Sequence, residues 1–259
     1  QSVYVPFHKI QPNAMQKAAL ARIQKLRDDG QDRGLLISAT GTGKTYLSAF
    51  GVLKMQPRRF LFVVHREIIV KSARDSYVRI GINPADTGLL TGHDKELDKP
   101  YIFATIQTLS QDEILHTFAP DTFDYIVIDE VHHGGAATYQ KVIRYFQPKF
   151  LLGMTATPER SDDFDIYALF HHHIAYEIRL HDALEENMLV PFHYHGISEI
   201  TVNGKVLDDM SDFSLLTCEE RVKHILYYAD LYGSDAERIK GLVFCRNVDE
   251  AQALAEAFR

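Results

Sequence analysis

Residues 38–45 read SATGTGKT. The apolar run Leu35-Leu36-Ile37 precedes them, and Tyr46, Phe50 and Leu53 follow at i, i+4 and i+7. Strand, glycine-rich turn and helix are the context that a phosphate-binding loop requires. Gly41 and Gly43 let the backbone curl tightly and approach a ligand with no Cβ in the way. The N–H groups of Thr40, Gly41, Thr42 and Gly43, with those of the first helical turn, then point at one spot. The helix dipole makes that spot positive, so a phosphate fits there. Lys44 has the reach for β- and γ-phosphates, and the Thr45 hydroxyl suits Mg²⁺. Ser38 departs from the usual pattern, which has glycine at that position. The competing reading is a glycine-rich turn that binds nothing, and the flanking strand and helix weigh against it.

The chain has 259 residues, long enough for one large α/β domain and part of another, and it is 46% hydrophobic and 24% charged, ordinary for a globular protein. Its longest apolar runs, such as FLFVV at 60–64, fall far short of a membrane span. Two cysteines, Cys218 and Cys245, make no disulfide framework, and the first ten residues carry no signal-peptide pattern, so the expected compartment is the cytoplasm. The net charge of −7 argues against a polyanion partner, but its distribution does not. Residues 1–80 hold 14 Lys+Arg against 5 Asp+Glu, and the rest hold 14 against 30. Such asymmetry fits a nucleic-acid partner, or a basic region that serves only a nucleotide.

Outward from the loop, residues 13–27 read as a helix with Asn13 as cap and Gly30 as stop. Gln16 has two readings. Asn13-x-x-Gln16 is a capping-box spacing, while its amide also carries the donor and acceptor that an adenine edge needs. Pro57 ends the helix after the loop. Apolar runs at 60–64, 89–90, 101–104, 123–128 and 149–153 alternate with helical stretches, including one at 138–146. That alternation predicts a mainly parallel sheet with helices on both faces and a ligand at the carboxyl ends of the strands. Residues 180–189 read as a connecting helix, Asn203-Gly204 as a hairpin turn, and Thr217-x-x-Glu220 as a helix cap. GLVFC at 241–245 reads as a buried strand, followed by a helix capped by Asn247 with Leu254 and Phe258 on one face.

Asp129 and Glu130 close the run FDYIVI. One carboxylate there can hold Mg²⁺ and its neighbour can deprotonate a water. Two alternatives compete: a solvated loop, and a zinc site of Asp129 with His132 and His133, whose spacing is not that of a zincin helix. His171-His172-His173 reads as a polar surface run.

Taken together, SATGTGKT, DEVHH at 129–133 and TATPER at 155–160 resemble motifs I, II and III of superfamily 2 DEAD/DEAH-box (DExH) helicases. VVHRE at 63–67, ATIQT at 104–108 and GLVFC are similar to their motifs Ia, Ib and IV, and the branch most resembled contains restriction-enzyme motor subunits. The resemblance covers nearly the whole chain; Val131 is an unusual residue within the second motif, at a position without chemistry. It implies an α/β fold: a RecA-like P-loop domain over residues 1–189 and the start of a second RecA-like domain over 190–259. It also implies ATP and Mg²⁺ as ligands. Lys44 and Thr45 would bind phosphates and metal, Asp129 would hold Mg²⁺, and Glu130 would act as base. His132, with Thr155 and Thr157, would couple the γ-phosphate to strand handling, and Gln16 would read adenine. Arg66, Thr105 and Gln107 would touch a nucleic-acid backbone, DNA more than RNA, through contacts that need little net charge.

The expected activity is that of an ATP-driven helicase or translocase motor, in a chain that is part of a larger protein and turns over slowly alone. A nucleotide-gated clamp on nucleic acid, without unwinding, is the alternative. TATPER and DEVHH disfavour a small-molecule P-loop kinase.

Overall fold

The computed structural model describes residues 10–159, 164–197, 201–202, 205–206, 218–233 and 241–258. Arg160, the Asn203-Gly204 turn and Thr217 lie outside these described residues. The chain divides into two compact units, residues 1–191 and 192–259.

In the first unit, α1 (Ala14–Asp28) starts at a formed capping box, with Lys25 and Arg27 in its last turn where the helix dipole favours cations. Next come β1 (Arg33–Ser38), α2 (Lys44–Met55), β2 (Phe60–Val64) and α3 (Glu67–Ile80). Strands β3 (Thr87–Leu90) and β4 (Tyr101–Thr105) precede the short helices α4 (Ile106–Leu109) and α5 (Asp112–Leu115). The unit continues through β5 (Tyr125–Ile128), α6 (Ala137–Tyr145), β6 (Phe150–Thr155), α7 (Ile166–Leu169), β7 (Ile174–Ile178) and α8 (Leu180–Glu185).

The seven strands form one sheet in the order β3-β4-β2-β5-β6-β1-β7, and every pairing is parallel. Strand side chains alternate between two core layers. Leu36, Phe60, Phe62, Val64 and Phe103 pack with Ala19, Ile23, Leu47, Val70 and Tyr77 of α1–α3. Leu35, Ile37, Leu61, Val63 and Ile126 pack with Leu109, Leu115, Val142 and Ile166 of the helices on the other face. Coverage of both faces is why the strands are apolar throughout rather than alternating. Gly153 sits in β6 because a Cβ there would lie 2.2 Å from the Phe170 ring.

Strand β7 was not anticipated. Its edge position leaves Ile174 and Glu177 exposed while Ala175 and Ile178 are buried, a pattern too mixed to stand out beside the uniformly apolar central strands. The histidine run before it forms a turn, with His171 and His172 at φ 53° and 57°.

In the second unit, β8 (Thr201–Val202) and β9 (Lys205–Val206) pair antiparallel, and helices α9 (Glu219–Tyr232) and α10 (Val248–Ala257) follow. The Asn247 side chain accepts from the Glu250 N–H at 2.9 Å. Glu250 is buried and accepts from Arg221 and from the Arg246 N–H. The Arg221 hydrogen bond lowers the Glu250 pKa by more than burial raises it, so the net shift is downward. Residues 241–245 correct the expectation of a buried strand: they form no strand, and Leu242 and Phe244 are 87% and 93% exposed. A central strand needs neighbours for its N–H and C=O groups and a cover for each face. Among the described residues of this unit, the only pairing strands are β8 and β9, two residues each.

Candidate active site

The carboxyl ends of β1, β5 and β6, adjacent in the sheet through β6, gather the three strongest motifs. After β1 the chain turns through Gly41 and Gly43, both left-handed at φ 89° and 87°, into α2. Ser38 is fully buried, and its hydroxyl lies 2.6 Å from that of Thr42. Thr42 already donates to the Ala39 carbonyl at 2.7 Å, so Ser38 is the donor of the pair. The departure from glycine thus braces the loop. Lys44 donates to the Ser38 carbonyl at 2.9 Å, which holds its ammonium inside the turn. Burial pulls the Lys44 pKa down, while Asp129 and Glu130 pull it up. Thr40 and Gly41 are exposed, Gly43 and Thr45 half-buried.

Gln16 performs the capping role and a second one. Its Oε1 accepts from the Asn13 N–H at 3.0 Å, and its Nε2 donates to the Gly43 carbonyl at 3.2 Å. The start of α1 is thereby tied to the phosphate loop.

Asp129 is buried at the end of β5. Its N–H donates to the Val63 carbonyl at 2.9 Å, and its carboxylate accepts from the Glu130 N–H at 3.0 Å. Burial, then the charge of Glu130, pushes the Asp129 pKa up to about 6. A buried carboxylate so poorly compensated is a natural seat for a cation. Among the described residues no three His, Cys, Asp or Glu side chains gather to hold a metal alone. One carboxylate with a threonine hydroxyl, completed by phosphate oxygens and water, would suit Mg²⁺. Glu130 occupies the left-handed region at φ 52°, uncommon for a residue with a Cβ.

His132 links the motifs. Its Nδ1 lies 3.1 Å from a Glu130 carboxylate oxygen and 3.2 Å from the Thr155 hydroxyl. Thr155 is fully buried at the end of β6, and its hydroxyl accepts from the N–H of exposed Thr157 at 3.2 Å. Glu130, His132, Thr155 and Thr157 are thus brought together as one hydrogen-bonded chain.

The candidate strand-contact residues lie at the neighbouring strand ends, where Val64 and Thr105 pair in register. Arg66 and Gln107 are exposed. Thr105 is not: it is buried, and its hydroxyl donates to that of Thr108 at 2.9 Å. It shapes the turn that presents Gln107.

Sequence reasoning missed three residues around the site. Arg179, after β7, bonds Glu177, Glu159 of the TATPE stretch and the Tyr167 hydroxyl. Leu189 packs on Gly41, where an added Cβ would lie 3.0 Å from its Cδ2. Tyr139 of α6 buries a hydroxyl with no hydrogen-bond partner among the described residues. None had a local signal: Leu189 meets Gly41, and Arg179 meets Glu159, across a distance in sequence.

A family profile, ResIII, "Type III restriction enzyme, res subunit", matches residues 9–160. Among similar proteins is the Type I restriction enzyme EcoAI endonuclease subunit of Escherichia coli, 26% identical over 95% of this chain and 34% of that protein. Another is a putative DNA 3'-5' helicase Rad25 of Halobacterium salinarum, 33% identical over 55% of this chain and 24% of that protein. The chain therefore spans about a quarter to a third of the length of these relatives. Among solved structures, the Pyrococcus furiosus Hef helicase domain matches with a TM-score of 0.57 at 18% identity, over 96% of this chain and 52% of that one. The Type ISP restriction-modification enzyme LlaGI, solved as a nuclease-deletion mutant with a DNA substrate mimic, gives 0.55 at 16% identity, over 96% and 26%. The fold of the sheet unit is that of the RecA-like helicase domains. No helix among the described residues is long and apolar enough to cross a membrane.

Proposed function

Because the chain belongs to the family of Type III restriction enzyme res subunits, we propose that its sheet unit is the ATP-binding part of a motor that hydrolyses ATP on nucleic acid, DNA rather than RNA. Residues 190–259 would begin a second RecA-like domain. The observation that carries the reading is the convergence of Lys44, Asp129, Glu130 and the His132–Thr155 link at the carboxyl ends of the strands.

In this reading the loop N–H groups from Thr40 to Thr45 and the Lys44 ammonium bind the phosphates. Thr45 and Asp129 hold Mg²⁺, whose charge offsets that of the phosphates. Glu130 accepts a proton from the attacking water, and His132 orients its carboxylate. The chain from His132 through Thr155 to Thr157 reports the γ-phosphate to the loop after β6. Gln16, which already touches Gly43, presents the remainder of its amide to adenine. Arg66 and Gln107 contact the sugar–phosphate backbone, with Thr105 supporting the turn. The resemblance to restriction-enzyme subunits supports DNA.

The test separates binding from chemistry. Lys44→Ala should abolish tight binding of a labelled ATP, because it removes ground-state charge. Glu130→Gln should keep binding and lose hydrolysis by about 10² or more. Equal loss of binding in both would defeat these roles. Assays with single- and double-stranded DNA and RNA identify the polymer, and strand displacement on a tailed duplex separates a helicase from an ATP-gated clamp.

A further inference from the structure

His133 has no part in the roles above, yet it stands between two of them. Its N–H donates to the Glu130 carbonyl at 3.1 Å. Its ring lies 4.2 Å, centroid to centroid, from that of His132 and 4.9 Å from that of His65. His65 leads directly into Arg66, the exposed residue that caps α3. We propose that His133 is a positioning residue that couples the nucleotide site at Glu130 to the strand-contacting edge at Arg66. This rests on the reading of the two sites given above.

Two buried polar groups flank His133. The His65 Nδ1 and the Tyr139 hydroxyl are both buried without a hydrogen-bond partner among the described residues. The rings that carry them flank His133, at 4.9 and 6.3 Å. Buried polar groups of this kind are normally satisfied, and the His133 imidazole is a polar group standing beside both. His133 itself is exposed, and its ring can turn without opening the core. The left-handed backbone at Glu130 sets the start of the turn that carries it. A shift of Glu130 toward nucleotide therefore moves His133 against His65. The backbone bond from Asp129 to Val63 also joins the two sites, but it lies inside the sheet ladder and has one arrangement.

Coupling is a measurable free energy and acts equally in both directions. The experiment is equilibrium binding of a fluorescent non-hydrolysable ATP analogue to this chain, with and without a saturating thymidine 20-mer. The ratio of the two dissociation constants should be about 5 or more in the unaltered chain. In His133→Ala the ratio should fall to within about twofold of unity, while each ligand alone keeps its affinity within about twofold. His65→Asn, checked for an unchanged melting temperature, should do the same and serves if the first variant misfolds. A merely structural role would change the separate affinities, and that result overturns the proposal. So does a ratio preserved in both variants, or a ratio of unity in the unaltered chain. An unaltered chain that fails to bind the analogue, or fails to bind the 20-mer, overturns the underlying reading of that site and the coupling with it.

Discussion

FLFVV at 60–64 and GLVFC at 241–245 look alike in sequence and differ completely in structure. Phe62 is wholly buried in β2, between β4 and β5 and under α3. Phe244 is 93% exposed in a stretch with no strand. Apart from Gly241, both runs are made of apolar residues with β-branched and aromatic members, so propensity does not separate 60–64 from 242–245. Neighbours do: one run has a strand on each side and helices above and below. An apolar run is a request for partners, and only the rest of the chain can answer it.

The largest expected effect of this contrast is in amide exchange. Amides of residues 61–64 should exchange about 10⁴ times more slowly than those of 241–245, because one set opens only with the unit and the other is open already. Comparable rates would mean that 241–245 is paired in solution and would break the comparison.

Side-chain truncation sharpens it. Phe62→Ala should cost the sheet unit about 3–5 kcal/mol in urea unfolding, the usual range for a large core side chain. Phe244→Ala should stay within about 0.5 kcal/mol. A cost of about 2 kcal/mol or more at Phe244 would show packing that its exposure does not allow.

The neighbours that make a strand also bury what lies at its end. Asp129 has a pKa of about 6 in the fold against an ordinary 3.8, so between those values the folded chain holds a proton that the unfolded chain has released. Stability therefore falls as pH rises from about 4 to about 6 and stays lower above. Asp129→Asn should be more stable than the unaltered chain at pH 7.5 by about 1–3 kcal/mol, and equal to it below about pH 4. An unchanged difference across that range would mean that Asp129 is solvated. The second unit, whose described strands are the two-residue pair β8 and β9, leans on local devices instead. There Asn247→Ala should cost about 1 kcal/mol of local helix stability, read from exchange in α10.

What the sequence determined by itself was short-range. The loop from Ser38 to Thr45, the Asn13–Gln16 box, the Asn247 cap and the alternation of apolar strands with helices are set by residues a few positions apart. Their geometry follows from φ/ψ preference, caps and side-chain periodicity, and the sheet unit formed accordingly. The order of motifs along the chain likewise placed Lys44, Asp129, Glu130, His132 and Thr155 at strand ends. Tertiary structure decided whatever needed a distant partner. It turned Thr105 inward to Thr108 and left Gln107 out. It set Leu189 on Gly41, Arg179 on Glu159, and His133 beside His65. It added β7 beside β1 and withheld a strand from 241–245. Hydrogen bonds between strands and contacts between layers join residues far apart in the chain, and no local pattern encodes which partner is present.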